Sequence, residues 1–227
     1  MGISYNTSIV REGLVLYLDA ANPKSYSGSG TAWYNLIDNS SFTSYGSPTF
    51  SINSFYFTGY KNFSKTGLSI PLTSEITMSC WYKQTAAGLG SPRLIETYQS
   101  GSTTYASHCL AIDTDGSIRC WLDKSGATNS RFITLDDPTA YLFNIWRNLS
   151  FTFSSPDAKL YVNGNVTQSA SIVETDIDDI NTIYVGAAQD TSNYFTGYIS
   201  NVSIYNRALS ASEIQQNFQA TRSRYGI

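Results

Sequence analysis

The sequence predicts an all-β protein, an antiparallel two-sheet jelly-roll sandwich with one short helix near its carboxyl end. Most of the 227 residues fall into short segments in which apolar and polar side chains alternate, and this period of two is typical of strands with one buried face. Dipeptides that favour tight turns separate several of these segments. One segment near the end instead carries the start signals of a helix. Together these observations favour a sandwich of the jelly-roll kind.

The alternating segments that predict strands are spread over the whole chain. They are residues 13–19, 76–82, 146–153 and 182–186, with a shorter one at 55–57 and a closing one that ends with Val202 and Ile204. In the second of them Cys80 lies on one face and Trp81 on the other, so we expect both faces of this strand to be covered. Residues 23–54 are rich in Ser, Gly and Asn, and we expect a long loop there, packed by Trp33 and Tyr34.

Two dipeptides predict β-hairpins. Asp115-Gly116 and Asn163-Gly164 each stand between alternating segments, and both dipeptides readily adopt the positive φ angles of a type I′ turn. The strands that flank each dipeptide are therefore expected to pair antiparallel through a two-residue loop. In the first hairpin this turn places Cys109 opposite Leu122.

The three cysteines, Cys80, Cys109 and Cys120, are expected to be thiols. With a two-residue loop at Asp115-Gly116, Cys109 and Cys120 lie on a diagonal of the hairpin, about 7–8 Å apart by Cα. This distance exceeds the usual span of a disulfide. We therefore expect three buried or half-buried thiols and no disulfide framework.

The helix signals lie between Leu209 and Phe218. Ser210 is a suitable N-cap, and Glu213 stands three residues later, which is the spacing of a capping box. Leu209 and Ile214 occupy the two positions of a hydrophobic staple, and Phe218 follows Ile214 on the same helical face. We expect one short helix that docks on a sheet through Ile214 and Phe218.

Composition and charge exclude several classes of function. The net charge is −3 and only 14% of the residues are charged, so the chain lacks the basic stripe with which proteins neutralise nucleic-acid phosphates. No apolar run approaches the length of a membrane span, and the amino terminus lacks the regions of a signal peptide. We expect no nucleic-acid partner, no membrane insertion, and folding in the compartment where the chain is made.

The acidic segment at residues 174–179 is the strongest catalytic pattern in the sequence. A strand there would place Glu174, Asp176 and Asp178 on one face, as jelly-roll glycoside hydrolases place their nucleophile and general acid. Those enzymes, however, end the pattern with Glu, and Asp178 or Asp179 is one methylene shorter. We interpret the segment as a solvated acidic turn and assign no catalytic residue. His108 is the only histidine, so the chain cannot form a metal site with several histidine ligands.

Aromatic residues in turn-rich segments are the candidates for carbohydrate binding. The chain has 17 tyrosines and 4 tryptophans, and such rings supply stacking faces and hydrogen bonds in ligand sites. Loops at one end of a sandwich commonly carry binding. We therefore predict carbohydrate contacts from Tyr98, Tyr105, Asn193 and Tyr194.

Four segments resemble, in order, the laminin-G-like or concanavalin A-like lectin domain of bacteriophage structural proteins, in particular those of the cyanophage type. They are residues 13–26, the tripeptide 57–59 in place of a Phe-Asp-Gly turn, residues 160–164 and residues 195–218. The resemblance extends over about 200 residues and implies a concanavalin A-like sandwich. We expect a lead-in at residues 1–12 and a single domain at residues 13–227.

The resemblance also implies a function. It implies a noncatalytic structural protein of the virion, either a capsid decoration protein or a tail or fibre component, present in multiple copies per particle. Its expected partners are other virion proteins in the capsid or tail, together with cell-surface glycans. The alternative is a glycan-active hydrolase on the same scaffold.

Laminin-G-like relatives often hold calcium with carboxylates at loop ends. In this sequence Asn35, Thr58 and the pair Ser200-Asn201 stand where the resemblance leads us to expect carboxylates. Calcium prefers six to eight oxygen ligands that include carboxylates, and only Asp19 and Asp190 remain as isolated candidates. We expect no resident cofactor, with calcium at these two residues as the alternative left open.

Overall fold

The structure, a computed structural model, has the predicted all-β architecture. It describes residues 8–99, 101, 106–113, 117–123, 131–137, 143–171, 173, 176–189 and 193–227. Within these ranges the chain forms two antiparallel eight-stranded sheets and one α-helix. The strands are β1 (Leu14–Asp19), β2 (Ala32–Tyr34), β3 (Ser41–Tyr45), β4 (Thr49–Ser51), β5 (Ser54–Phe57), β6 (Asn62–Lys65), β7 (Glu75–Gln84), β8 (Arg93–Tyr98), β9 (His108–Ile112), β10 (Ile118–Asp123), β11 (Arg131–Asp137), β12 (Arg147–Ser154), β13 (Asp157–Val162), β14 (Asn165–Ser171), β15 (Thr182–Val185) and β16 (Gly197–Tyr205). Helix α1 (Ala211–Thr221) follows β16 and continues into a 3₁₀ turn (Arg222–Tyr225).

The two sheets enclose one large hydrophobic core. Sheet A has the order β14-β13-β12-β7-β16-β5-β4, and β1 pairs with the second half of β16. Sheet B has the order β11-β10-β9-β8-β15-β6-β3-β2. Non-consecutive strands therefore lie side by side in both sheets, as in a jelly roll. The core includes aromatic rings from both sheets, among them Phe151 and Phe153 from sheet A and Trp33 and Phe63 from sheet B.

Both faces of the central strand β7 are covered, as predicted. Met78 and Cys80 are fully buried between the sheets, because alternate residues of a strand point to opposite faces. Trp81 points to the outer face of sheet A, where it is only 1% exposed. Helix α1 covers it there.

The start of helix α1 confirms the predicted capping box. The backbone N of Glu213 donates to Ser210 Oγ at 3.3 Å, and the backbone N of Ser210 donates to Glu213 Oε2 at 2.8 Å. Arg207 donates two further hydrogen bonds to the same carboxylate, at 2.6 and 3.0 Å. The Arg207 hydrogen bonds lower the pKa of Glu213 to about 2.

The helix docks on the outer face of sheet A through the residues that the sequence indicates. Leu209 and Ile214 are buried in a small cluster on this face. Phe218 stacks on Trp81 with ring centroids 5.7 Å apart and planes 13° from parallel. The indole Nε1 of Trp81 donates to Thr221 Oγ1 at 2.9 Å. The docking therefore combines an apolar contact with a buried hydrogen bond.

Residues 8–10, in the predicted lead-in, lie against helix α1. The backbone N of Val10 donates to Asn217 Oδ1 at 2.8 Å, and Tyr205 Oη donates to the carbonyl of Val10 at 3.0 Å. Gln216 Nε2 donates to the carbonyl of Ser8 at 2.8 Å. These contacts add one more segment to the layer outside sheet A.

The predicted long loop at residues 23–54 is wrong, because this segment contains strands β2, β3 and β4. Each of them is only three to five residues long, so its alternation is too short to detect. Trp33 is fully buried, as expected, but Tyr34 is 38% exposed. Strands β6, β8 and β11 were also missed.

The two predicted hairpins have different outcomes. Val162 pairs with Asn165, and Asn163 and Gly164 have φ angles of 52° and 79°, so the predicted two-residue turn is confirmed. In the other hairpin Cys109 pairs with Trp121 and not with Leu122. The predicted register is therefore wrong by one residue, and Asp115-Gly116 lies outside the described residues.

This one-residue difference changes the faces on which the cysteines lie. Cys120 faces the main core, whereas Cys109 faces outward into a small cluster with Ala111 and Trp121. All three cysteines are buried free thiols, as predicted. Across the described ranges, no helix has both the length and the apolar character to cross a membrane.

Candidate functional site

A row of partly exposed aromatic side chains crosses the outer face of sheet A beside the end of helix α1. We call this row the aromatic strip; it consists of Tyr56, Lys83, Trp146, Tyr198 and Tyr225. Three of its members come from neighbouring strands, because Tyr198 in β16 pairs with Tyr56 in β5 on one side and with Lys83 in β7 on the other. Their sequence neighbours Phe55, Phe57 and Ile199 point into the core. Alternation therefore places all three strip residues on the outer face.

The side chains of the strip contact one another. The rings of Tyr56 and Tyr198 have centroids 4.9 Å apart. Lys83 Nζ lies 4.5 Å from the centroid of Tyr198 and 5.4 Å from that of Trp146, within the range of cation–π attraction. Trp146 lies 4.8 Å from the ring of Tyr225. The lysine ammonium is thus held between two aromatic rings.

Buried contacts fix the Tyr225 end of the strip. Its ring stacks on Trp81 with centroids 3.9 Å apart and planes 18° from parallel. Tyr225 Oη donates to Ser200 Oγ at 2.8 Å, and burial raises the pKa of Tyr225 well above its usual value. Arg224 Nη1 donates to both carboxylate oxygens of Asp19, at 2.8 and 2.9 Å. The 3₁₀ turn that carries Tyr225 is therefore anchored on both sides.

The strip presents the only tryptophan that is open to a ligand. Trp33, Trp81 and Trp121 are 0%, 1% and 2% exposed, whereas Trp146 is partly exposed. Ile145, the neighbour of Trp146, is 44% exposed and extends the apolar surface. The site can therefore contact a ligand through ring faces, a cation and phenol hydroxyls.

Of the residues predicted to bind carbohydrate, Tyr98, Asn193 and Tyr194 lie outside the aromatic strip, and Tyr98 lies in a strand and not in a turn. Tyr98 belongs to strand β8, is 4% exposed and donates from Oη to Glu96 Oε2 at 2.7 Å. Its ring is therefore covered and offers no stacking face. Burial, followed by the charge of Glu96, raises the pKa of Tyr98 above its usual range. Tyr105 lies outside the described residues.

Asn193 and Tyr194 contact the segment that precedes strand β8 and the residues that follow strand β15. Asn193 Oδ1 accepts a hydrogen bond from the backbone N of Ser91 at 2.8 Å, and Tyr194 forms bridges with Leu89 and Ala187. Both residues are partly exposed. The structure therefore gives both residues architectural contacts, and their prediction as carbohydrate ligands remains a prediction.

Asp19, one of the two calcium candidates, is the last residue of strand β1. Asp19 is 2% exposed, and its carboxylate is occupied by Arg224 and by the backbone N of Ala21 at 3.0 Å. Its charge is thus compensated by a guanidinium, and calcium at Asp19 stays a prediction. Asp190 lies outside the described residues. Among the residues that are described, no group of three or more His, Cys, Asp or Glu side chains is arranged to hold a metal ion.

The described part of the acidic segment is neither a strand nor a fully solvated turn. Residues 176–179 belong to no strand, while Glu174 lies outside the described residues. Asp176 is exposed, but Asp178 is 2% exposed, so the turn is only partly solvated. Asp179 Oδ1 accepts a hydrogen bond from the backbone N of Leu72 at 2.7 Å and ties the segment to the preceding loop.

His108 is a core residue in strand β9. It is fully buried, its Nδ1 lies 2.7 Å from Thr97 Oγ1, and burial lowers its pKa to about 3. The ring is therefore neutral over the physiological pH range. This placement is that of a core histidine.

The paired sheets, the docked helix and the outward aromatic surface define a sandwich of the lectin fold. The chain belongs to the concanavalin A-like lectin/glucanase superfamily, because the laminin-G family model of that description matches residues 54–215. A comparison with curated proteins gave no significant match.

Solved structures share the fold at low sequence identity. Trypanosoma rangeli sialidase in complex with sialic acid has a TM-score of 0.70 and 15% identity, and the match covers 96% of this chain and 34% of the sialidase. A second structure is that of botulinum neurotoxin type C, whose cell entry is dependent upon interaction with two ganglioside molecules. It has a TM-score of 0.67 and 16% identity, and the match covers 92% of this chain and 51% of the toxin chain. The receptor-binding domain of the mosaic serotype C/D toxin has a TM-score of 0.68 and 19% identity, with coverages of 92% and 51%. The chain thus spans between a third and a half of the length of these proteins.

Proposed function

We propose that the protein is a noncatalytic subunit of a phage virion that binds carbohydrate on the aromatic strip. The observation that carries this proposal is the row of outward rings across strands β5, β16 and β7. The rest of this outer face is rich in Ser and Asn. Exposing large aromatic rings to water there costs free energy, and a ligand that covers the rings removes this cost. Tyr and Trp combine apolar area with a polar group and are suited to such contacts.

The dimensions and chemistry of the strip suit a pyranose. One face of a sugar ring presents C–H groups that stack on an aromatic face, while its hydroxyls need hydrogen-bond partners at the rim. The rings of Tyr198 and Trp146 supply faces, and the hydroxyl of Tyr56 and the ammonium of Lys83 supply polar groups. Contacts between the strip residues already fix these side chains, so little rotamer entropy is lost on binding.

The similar structures support the ligand class by analogy. Their names mention sialic acid and ganglioside molecules, which are sugars or carry sugars. At 15–16% identity the shared property is the fold, and a fold by itself does not define a function. The proposal therefore depends on the strip and not on the neighbours.

The environment of Glu96 supports a structural role for this buried carboxylate of sheet B. Glu96 Oε1 accepts from Arg93 Nε at 2.9 Å, and Oε2 accepts from Tyr98 Oη at 2.7 Å and from the backbone N of Gln189 at 3.1 Å. Both oxygens are occupied and the residue is 2% exposed. Such a carboxylate stabilises the sheet and is not open to a glycosidic bond.

Carbohydrate binding is tested on a glycan array that includes bacterial surface oligosaccharides. Wild-type protein should bind at least one glycan class, and Tyr198→Ala should weaken that binding at least tenfold because the central ring of the strip is lost, about 1.4 kcal/mol. Tyr34→Ala is the matched control, since Tyr34 is an exposed tyrosine on strand β2 of sheet B; its binding should equal that of wild type. Equal loss in both variants, or no loss in either, contradicts the proposal. Hydrolysis of a polysaccharide that disappears in Glu174→Gln would favour the hydrolase alternative.

The virion role has support from the sequence. The opening and closing segments resemble phage structural proteins, and a surface with few charges can be desolvated in an assembly without burying unpaired ions. We expect mass spectrometry to find the protein in purified virions and expect it to stay attached in about 1 M salt, which screens Coulomb attraction. Absence from purified particles would contradict this role.

A further inference from the structure

The electrostatic character of the aromatic strip points to a more specific ligand. Lys83 Nζ lies over two aromatic rings, and among the described residues no carboxylate lies within ion-pair distance of it. Lysine ammonium groups on protein surfaces are strongly hydrated and mobile. Here the cation–π contacts hold the ammonium at one position in the middle of the strip.

The segments that build the strip carry basic but no acidic side chains. They are residues 54–57, 83–84, 143–147, 197–199 and 222–227, and their charged residues are Lys83, Arg147, Arg222 and Arg224. Arg224 is compensated by Asp19, and Arg147 is only 7% exposed. Lys83 and the exposed Arg222 are left facing solvent. The strip is therefore locally positive in a chain of net charge −3.

We infer that the ligand of the aromatic strip is an acidic sugar, with its carboxylate or sulfate bound to Lys83 Nζ. This inference rests on the proposed carbohydrate function and specifies the ligand of the same site. Because the ammonium lies over the face of Tyr198, 4.5 Å from the ring centroid, a sugar that packs against the edges of the Tyr198 and Trp146 rings places an acidic substituent beside Nζ. A hydrogen bond between two charged groups is shorter and stronger than one between neutral groups. The Tyr198 and Trp146 rings also shield the pair from water and so strengthen it.

The composition of the strip explains why one lysine suffices. Ring stacking supplies contacts that a neutral sugar can also make, and the single cation adds selectivity for the charged one. An acidic residue near Lys83 would cancel this selectivity, and the strip segments contain none. The protein should therefore bind the acidic member of a matched pair of sugars more tightly and still bind the neutral member.

The test uses pairs of oligosaccharides that differ in the acidic group. They are 3′-sialyllactose with lactose, trigalacturonate with its carboxyl-reduced form, and 6-sulfo-N-acetyllactosamine with N-acetyllactosamine. Wild-type protein should bind the acidic member of at least one pair about tenfold more tightly, and the pairs separate a carboxylate from a sulfate ligand. Lys83→Met should bring the two members of that pair to equal affinity while it retains the neutral interaction. Lys65→Met, on strand β6 of sheet B, is the control that removes the same charge and should keep the preference.

The outcomes distinguish this inference from the proposed function. Equal affinity of wild type for both members of every pair that it binds, with binding that Tyr198→Ala weakens, overturns the inference and leaves the proposed function intact. A preference that survives in Lys83→Met also overturns the inference. If wild-type protein binds no member of any pair and no glycan on the array, both the inference and the proposed function are overturned.

Discussion

Replacing Phe218 by alanine is expected to lower the free energy of unfolding by about 3–5 kcal/mol, the usual cost of removing a buried phenylalanine ring. Phe218 is 7% exposed and stacks on Trp81, which is itself 1% exposed. The substitution opens a cavity between helix α1 and sheet A that the helix backbone cannot close. Urea unfolding followed by circular dichroism measures the change.

The control for this substitution lies one residue further along the helix. Gln219 is exposed on α1, and Gln219→Ala should change the free energy of unfolding by less than about 0.5 kcal/mol because both residues are good helix formers. Equal stabilities of wild type and Phe218→Ala would contradict the docked helix. A loss of similar size in Gln219→Ala would indicate a general effect on the helix and not loss of the Trp81 contact.

Acidification is expected to destabilise the protein through His108. The folded protein holds this fully buried ring neutral, with its pKa lowered to about 3, whereas the unfolded chain protonates it below about pH 6.5. The unfolded state then binds one more proton, so stability is complete above pH 6.5 and falls as the pH decreases. The limiting slope is about 1.4 kcal/mol per pH unit, which gives a loss of about 2 kcal/mol between pH 7.5 and pH 5.

His108 can be isolated because it is the only histidine in the chain. Carboxylates such as Glu213, with a pKa of about 2 in the folded state, affect stability mainly below pH 4.5. Urea unfolding at pH 7.5, 6.5, 5.75 and 5.0 therefore reports on the histidine. His108→Asn, which keeps a polar group near Thr97, should flatten the dependence in this window. A wild-type slope equal to that of His108→Asn would contradict the assignment.

The sequence predicts the elements whose signals are local. Ser210 and Glu213 define the start of helix α1 because a capping box lies within four residues. The Asn163-Gly164 turn is confirmed for the same reason. The Asp115-Gly116 prediction failed in its register, since a dipeptide indicates a turn but does not fix how many residues the loop contains. Strands β2, β3 and β4 were missed because their stability comes from long-range pairing and not from their own alternation.

The aromatic strip was not predictable from local patterns. Tyr56, Lys83 and Tyr198 are far apart in the sequence, and only the strand order β5-β16-β7 places them side by side. The carbohydrate prediction was based on turn-rich segments and included Tyr98, which is the last residue of strand β8 and has a buried side chain. A usable signal existed, because Tyr56 stands between two core phenylalanines and must point outward. Outward aromatic residues on predicted strands indicate single members of the strip, whereas their contact depends on the strand order.

The central claim, that the glycan binds on the aromatic strip, is tested most directly by the indole NMR signals of the four tryptophans. Each tryptophan gives one ¹H–¹⁵N indole signal, and Trp146→Phe identifies the signal from the strip. Titration with the tightest glycan from the array should shift the Trp146 signal and leave those of the buried Trp33 and Trp121 unchanged. A shift of the Trp121 signal with an unchanged Trp146 signal would place the ligand on sheet B and contradict the account.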